Sequence, residues 1–122
     1  MNSDFRIVEN IILEYTGDEA DVIIPYGVEE IGMMAFSYCD QLVSVQVPQT
    51  VRKIGHSAFA YCNNLEEVFI PDEVEEISGC AFTRCNNLIK FRLPAKYRTP
   101  YYILDLIGSD ADVDAILAYN RK

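Results

Sequence analysis

The sequence predicts an α/β repeat solenoid: a short right-handed coil carrying a parallel β-sheet, with an N-terminal β-hairpin cap and a C-terminal helical cap. Three observations predict it. Proline recurs every 23 residues, at Pro25, Pro48, Pro71 and Pro94. The same step carries Ala35-Phe36, Ala58-Phe59 and Ala81-Phe82, the cysteines Cys39, Cys62 and Cys85, and the apolar sets Ile31/Ile54/Ile77, Val28/Val51/Val74 and Leu42/Leu65/Leu88. Before each proline, apolar and polar residues alternate with the period of two that marks a half-buried strand. The unit V-x-x-I-G-x-x-A-F-x-x-C-x-x-L-x-x-V-x-V-P therefore supplies one strand per coil. Because one coil cannot cover its own apolar lining, neighbouring coils must stack.

The elements follow in chain order within a single domain. Over residues 1–18, Phe5–Val8 and Ile11–Tyr15 flank Glu9-Asn10, the pattern of a β-hairpin cap. The 23-residue repeats run over 19–95, starting with the strand Asp21-Val22-Ile23-Ile24-Pro25. In the coil 51–71, Val68 and Ile70 point inward and Pro71, which has no N–H for a ladder, ends the strand. Ala58, Phe59 and Cys62 share one face of a short helical turn, and Val51, Ile54 and Leu65 complete the lining. Residues 96–122 read as a helical cap. Thr99 caps a helix with Pro100 at its first position, which runs through YYILDLI to Gly108. Ser109 or Asp110 then caps a last helix with an apolar face of Val113, Ile116 and Leu117. Asp112 and Asp114 sit near its positive end, and Arg121 and Lys122 near its negative end.

Stacking places residues one repeat apart side by side. Glu29–Arg52–Glu75–Arg98 and Glu30–Lys53–Glu76 then become columns of alternating charge, and Glu67 meets Lys90 as Glu73 meets Lys96. These columns predict coil-to-coil ion pairs, each worth only about 0–1 kcal/mol at an exposed site. Tyr38, Tyr61 and Arg84 form an outward column whose rings and guanidinium can stack on the convex side.

The units "VEEIGMMAFSYCDQLVSVQVP", "VRKIGHSAFAYCNNLEEVFIP" and "VEEISGCAFTRCNNLIKFRLP" resemble the BspA-type leucine-rich repeat of bacterial surface and gut-associated proteins. The resemblance covers residues 19–94. Gly27, Thr50, Glu73 and Lys96 stand where the commoner leucine-rich repeat carries Asn or Cys, so its asparagine ladder should be absent. Ser78 replaces the glycine of positions 32 and 55. The resemblance implies interaction or adhesion and brings no catalytic residue with it.

Composition narrows the function classes. A net charge of −9 opposes nucleic-acid binding, which needs a basic face to displace counterions from phosphates. No apolar run reaches the ~18–20 residues of a membrane-spanning helix, so no membrane insertion is expected. MNSDFRIVEN lacks the basic-then-apolar pattern of a signal peptide. With Met1 as the native start the protein is expected in the cytoplasm; excised from a longer exported protein, it would belong to the cell surface or be secreted.

Chemistry-bearing constellations are absent from the pattern. His56, the only histidine, shares its column with Met33 and Gly79, while Cys62 lies in the inward cysteine column, so the two are not a nucleophile pair. Cysteines one repeat apart give no C-x-x-C unit for zinc. Cys80 lies outside the column and reads as a partly buried thiol. Asp110, Asp112 and Asp114 open like a calcium loop, yet Ala115 and Arg121 occupy the places of its glycine and glutamate. No metal, cofactor or enzymatic activity is expected. Five basic residues in Arg84–Arg98 face the acidic stretch Glu66–Glu76, as complementary coils would.

The concave sheet face remains. Alternation directs Asp21, Ile23, Ser44, Gln46, Glu67, Phe69, Lys90 and Arg92 outward there, with Phe69 beside Arg92 composed like a hot spot. Four strands of ~3–4 residues give a footprint of roughly 150–200 Å², against about 800 Å² per partner in a stable complex. The expected function is non-enzymatic recognition of a protein or peptide, weak through this face alone. The alternative is a structural, weakly self-associating spacer of a longer repeat or adhesion protein.

Overall fold

A computed structural model describes residues 4–122; the first three residues of the 1–18 segment lie outside it. Strands β1 (Phe5–Val8) and β2 (Ile11–Tyr15) pair antiparallel around Glu9 and Asn10, whose φ angles of 51° and 66° are those of a two-residue hairpin turn. The repeats then build two parallel sheets. Strands β3 (Asp21–Ile23), β5 (Ser44–Gln46), β7 (Glu67–Phe69) and β9 (Lys90–Arg92) form one, in the order β3-β5-β7-β9 and in a register of 23 throughout. Two-residue strands β4 (Glu30–Ile31), β6 (Lys53–Ile54) and β8 (Glu76–Ile77) form the other, which the hairpin joins through a parallel β2–β4 pairing.

The convex segment departs from the expected helical turn. Each coil makes a run of hydrogen-bonded turns instead, including Gly32–Ala35 and Phe36–Cys39 in the first. Met34 and Tyr38, third in these turns, have φ of 59° and 62°, and the positive φ recurs at Ser57, Tyr61, Cys80 and Arg84. The physical reason lies in the donors. Phe36 N–H goes to Ala58 O of the next coil at 2.7 Å and Tyr38 N–H to Ala60 O at 2.8 Å, so they are not available for bonds along a helix. Gly32 and Gly55 sit where neighbouring backbones approach closely, since a Cβ would lie 2.6 Å from Ile12 O at the first and 2.9 Å from Met33 N at the second.

Inside, Phe36, Phe59 and Phe82 stack at centroid distances of 4.7 and 5.0 Å. Tyr15 continues the stack toward the hairpin at 5.0 Å and Phe91 meets its other end edge-on at 4.7 Å. Burying one such ring stabilises by roughly 1.5–3 kcal/mol. Cys62 and Cys85 are buried in their column and donate to Phe36 O at 3.1 Å and Phe59 O at 3.0 Å. Cys39, which begins the column, is half-buried. Cys80 is exposed, not partly buried as its position suggested, because it occupies the outward left-handed corner of its turn.

The charge columns are adjacent but not bonded. Glu30, Lys53 and Glu76 are in register, as are Glu67 and Lys90. Among the described residues, however, only Arg6–Glu14 at 3.7 Å and Arg98–Asp72 at 3.8 Å come within ion-pair distance. Long solvated side chains lose more entropy on pairing than the screened attraction returns. Lys96 reaches the carbonyl of Glu75 at 3.4 Å instead of Glu73. A different ladder takes over the register. Gln41, Asn64 and Asn87, one repeat apart, donate their side-chain amides to Gly17 O, Asp40 O and Asn63 O of the preceding coil. At the positions where the commoner repeat carries its asparagine, Thr50 also bridges coils, accepting from Gly27 N–H and donating to Val28 O.

The C-terminal segment seals the last coil. Beyond a 3-10 turn at Ala95–Tyr97, helix α1 (Pro100–Ile107) begins at Thr99, whose side chain accepts from Tyr102 N–H, and ends at Gly108 with φ 119°. Its carbonyls at Asp105, Leu106 and Ile107 accept from Cys80, Phe82 and Arg84 N–H, doing for the last coil what another coil does elsewhere. Helix α2 (Val113–Asn120) is capped by Asp112, not by Ser109 or Asp110, because the Asp112 carboxylate accepts from Ala115 N–H. Ile116 is fully buried, with Val113 and Leu117 packed partly against the core.

Candidate functional site

The strands β3, β5, β7 and β9 place the eight alternating residues on one face. Asp21, Gln46, Glu67 and Lys90 are exposed, Ser44 is half-buried, and Ile23 and Phe69 are 71% and 47% accessible despite being apolar. Their inward neighbours Val22, Val45, Val68 and Phe91 are buried, so the face is held from behind by a rigid wall. Ser44 donates to Asp21 Oδ1 at 2.6 Å and orients that carboxylate.

Arg92 is not free in the way its sequence position suggested. Its guanidinium lies 5.1 Å from the centroid of the Tyr119 ring, and Nη1 donates to Asn120 O at 3.3 Å. Helix α2 thus overhangs one end of the sheet. Tyr119, which no strand periodicity could reveal, joins Gln46, Glu67 and Phe69 around a cleft of about 200 Å³. The cleft offers an aromatic wall, an amide and a carboxylate within the span of one or two side chains. A second depression, of about 420 Å³, runs along the turns entering the strands, past Ser44, Glu66, Asn87, Ile89 and Lys90.

On the convex side Tyr38 and Tyr61 stack in parallel planes at 4.9 Å. The cysteines are chemically quiet where they are buried. The Cys62 thiol is pushed well up by the neighbouring Cys85 thiol and by burial, and burial raises Cys39 to about 11. Such thiols stay protonated, the opposite of an activated nucleophile. Among the described residues no three His, Cys, Asp or Glu side chains gather as a metal site would require, and no helix is long and apolar enough to cross a membrane.

A stack of 23-residue coils with one strand per coil in an exposed parallel sheet defines a repeat-solenoid module. The chain belongs to the BspA-type leucine-rich repeat family, whose model matches residues 7–102 in six copies. Solved bacterial structures share the fold. A leucine-rich repeat protein of T. pallidum, TpLRR, is 26% identical with a TM-score of 0.70, over 92% of this chain and 65% of that one. A leucine-rich repeat protein from Bacteroides capillosus is 27% identical with a TM-score of 0.71, over 88% of each chain. A leucine rich cell surface protein from Faecalibacterium prausnitzii is 31% identical with a TM-score of 0.64, over 88% of this chain and 31% of that one. The chain therefore spans less than two thirds of the T. pallidum and F. prausnitzii chains. No curated protein matches it.

Proposed function

We propose that this chain is a non-enzymatic recognition module that binds an extended peptide or a protein loop across its four-stranded sheet. The observation that carries the reading is the cleft formed by Phe69, Gln46, Glu67 and Tyr119, where an exposed ring on a rigid strand faces a second ring from the terminal helix. Rigid aromatic anchors lose little entropy on binding and dominate interface energies. Arg92, already fixed by Tyr119 and Asn120, serves to hold the helix over the sheet as well as to present charge. The small face supports micromolar rather than nanomolar binding, since stable complexes bury about 800 Å² per partner. The family membership and the cell-surface protein among the structural relatives support a role in surface-associated recognition.

Panning a displayed peptide library against the folded chain tests this. Recovered peptides should bind Phe69→Ala and Tyr119→Ala at least tenfold more weakly. Affinities unchanged in both variants would remove the sheet face from the account.

A further inference from the structure

The two ends of the four-stranded sheet are finished differently, and the difference exposes a bonding edge. In this parallel register Ser44 N–H donates to Ala20 O and Ile24 N–H to Gln46 O. Strand β3 thus spends the N–H and C=O of Val22 on β5, and those of Asp21 and Ile23 point away from it. No described residue bonds to these four groups. The hairpin does not cover them, because it pairs into the other sheet. Beside this edge lies a groove of about 260 Å³ with Phe5 and Tyr15 at its floor and Asp4, Glu19 and Asp21 at its rim.

We infer that the edge of β3 is a strand-addition site for an extended segment of the pattern basic–β-branched–apolar, bound parallel to β3. The columns dictate that pattern. The middle residue of an added strand continues the inward column Val22–Val45–Val68 and lands over Phe5 and Tyr15. Its N–H donates to Asp21 O and its C=O accepts from Ile23 N–H, as each coil does to its neighbour. The residue before it stands beside Asp21, whose carboxylate is held by Ser44 and flanked by Asp4 and Glu19, which selects lysine or arginine. The residue after it stands beside the exposed Ile23 and is apolar. The same carboxylates disfavour a second copy of this chain, since edge-to-edge pairing would bring two such acidic rims together.

The test is fluorescence anisotropy with an end-blocked, labelled peptide, Gly-Thr-Lys-Val-Ile-Thr-Gly. Binding should weaken at least tenfold on N-methylation of its central valine, which removes one donor and leaves composition and charge intact. Replacing its lysine by glutamate should weaken binding similarly, and Asp21→Lys should invert the preference between the two peptides. Phe69→Ala should leave the affinity unchanged, which separates this edge from the sheet-face reading. No binding at millimolar peptide, or binding insensitive to N-methylation, would overturn the inference; loss of binding in Phe69→Ala would transfer it to the sheet face.

Discussion

The C-terminal and N-terminal ends of this solenoid meet the same physical demand in opposite ways. A coil presents bonding groups to its neighbour on three sides, along both sheets and along the convex turns. At the C-terminal end each side has its own substitute. The Tyr97 hydroxyl accepts from Ile77 N–H at 2.9 Å in one sheet, and the end of α1 covers the convex turns. In the other sheet, the buried Asn120 accepts from Leu93 N–H at 2.9 Å and donates to Phe91 O at 2.7 Å. At the N-terminal end the hairpin completes one sheet and closes the core with Phe5 and Tyr15, but β3 keeps its outer edge. Capping a repeat stack is thus a matter of individual donors and acceptors, and an end can be sealed against water inside while remaining able to bond outside.

Perturbations of decreasing size sharpen that contrast. Phe59→Ala, which removes the central ring of the stack, should destabilise by about 3–5 kcal/mol in chemical denaturation, more than Phe5→Ala at the half-buried N-terminal end. Asn120→Ala should cost about 2–3 kcal/mol because it leaves a buried N–H and C=O without partners. Asp21→Ala at the open edge should change stability by less than about 0.5 kcal/mol. A larger loss there than in Asn120→Ala would break the comparison.

The cysteine column extends it. Exposed Cys80 should react first with a thiol reagent and Cys39 more slowly, with Cys62 and Cys85 protected until unfolding. The raised Cys39 and Cys62 thiols also set a direction with pH. Below about pH 8.5 both folded and unfolded chains keep these protons. Above it the unfolded chain releases them while the fold retains them, so the denaturation midpoint should fall between about pH 9 and 11, and less steeply in Cys39→Ala.

Much of this architecture was legible because a strict period turns sequence neighbours into spatial ones. Val22, Val45 and Val68 and their outward partners could be placed from the alternation alone. The two-residue strands Glu30–Ile31, Lys53–Ile54 and Glu76–Ile77 could not, since two residues carry no alternation. The sequence suggests a helical turn on the convex side because the left-handed corners there are held by Met34, Tyr38 and Ser57 rather than by the usual Gly or Asn. The amide ladder of Gln41, Asn64 and Asn87 stood in plain register and was overshadowed by the charge columns beside it. Tyr119 and Asn120 lie outside the repeat, and nothing local in a helical segment announces which strand it will cover.

Amide hydrogen exchange resolved by residue tests the central claim most directly. The N–H of Leu93, bonded to Asn120, should exchange as slowly as those of the inner strands, whereas the N–H groups of Asp21 and Ile23 should exchange orders of magnitude faster. Equal protection at Asp21, Ile23 and Leu93, or a fast-exchanging Leu93, would contradict it.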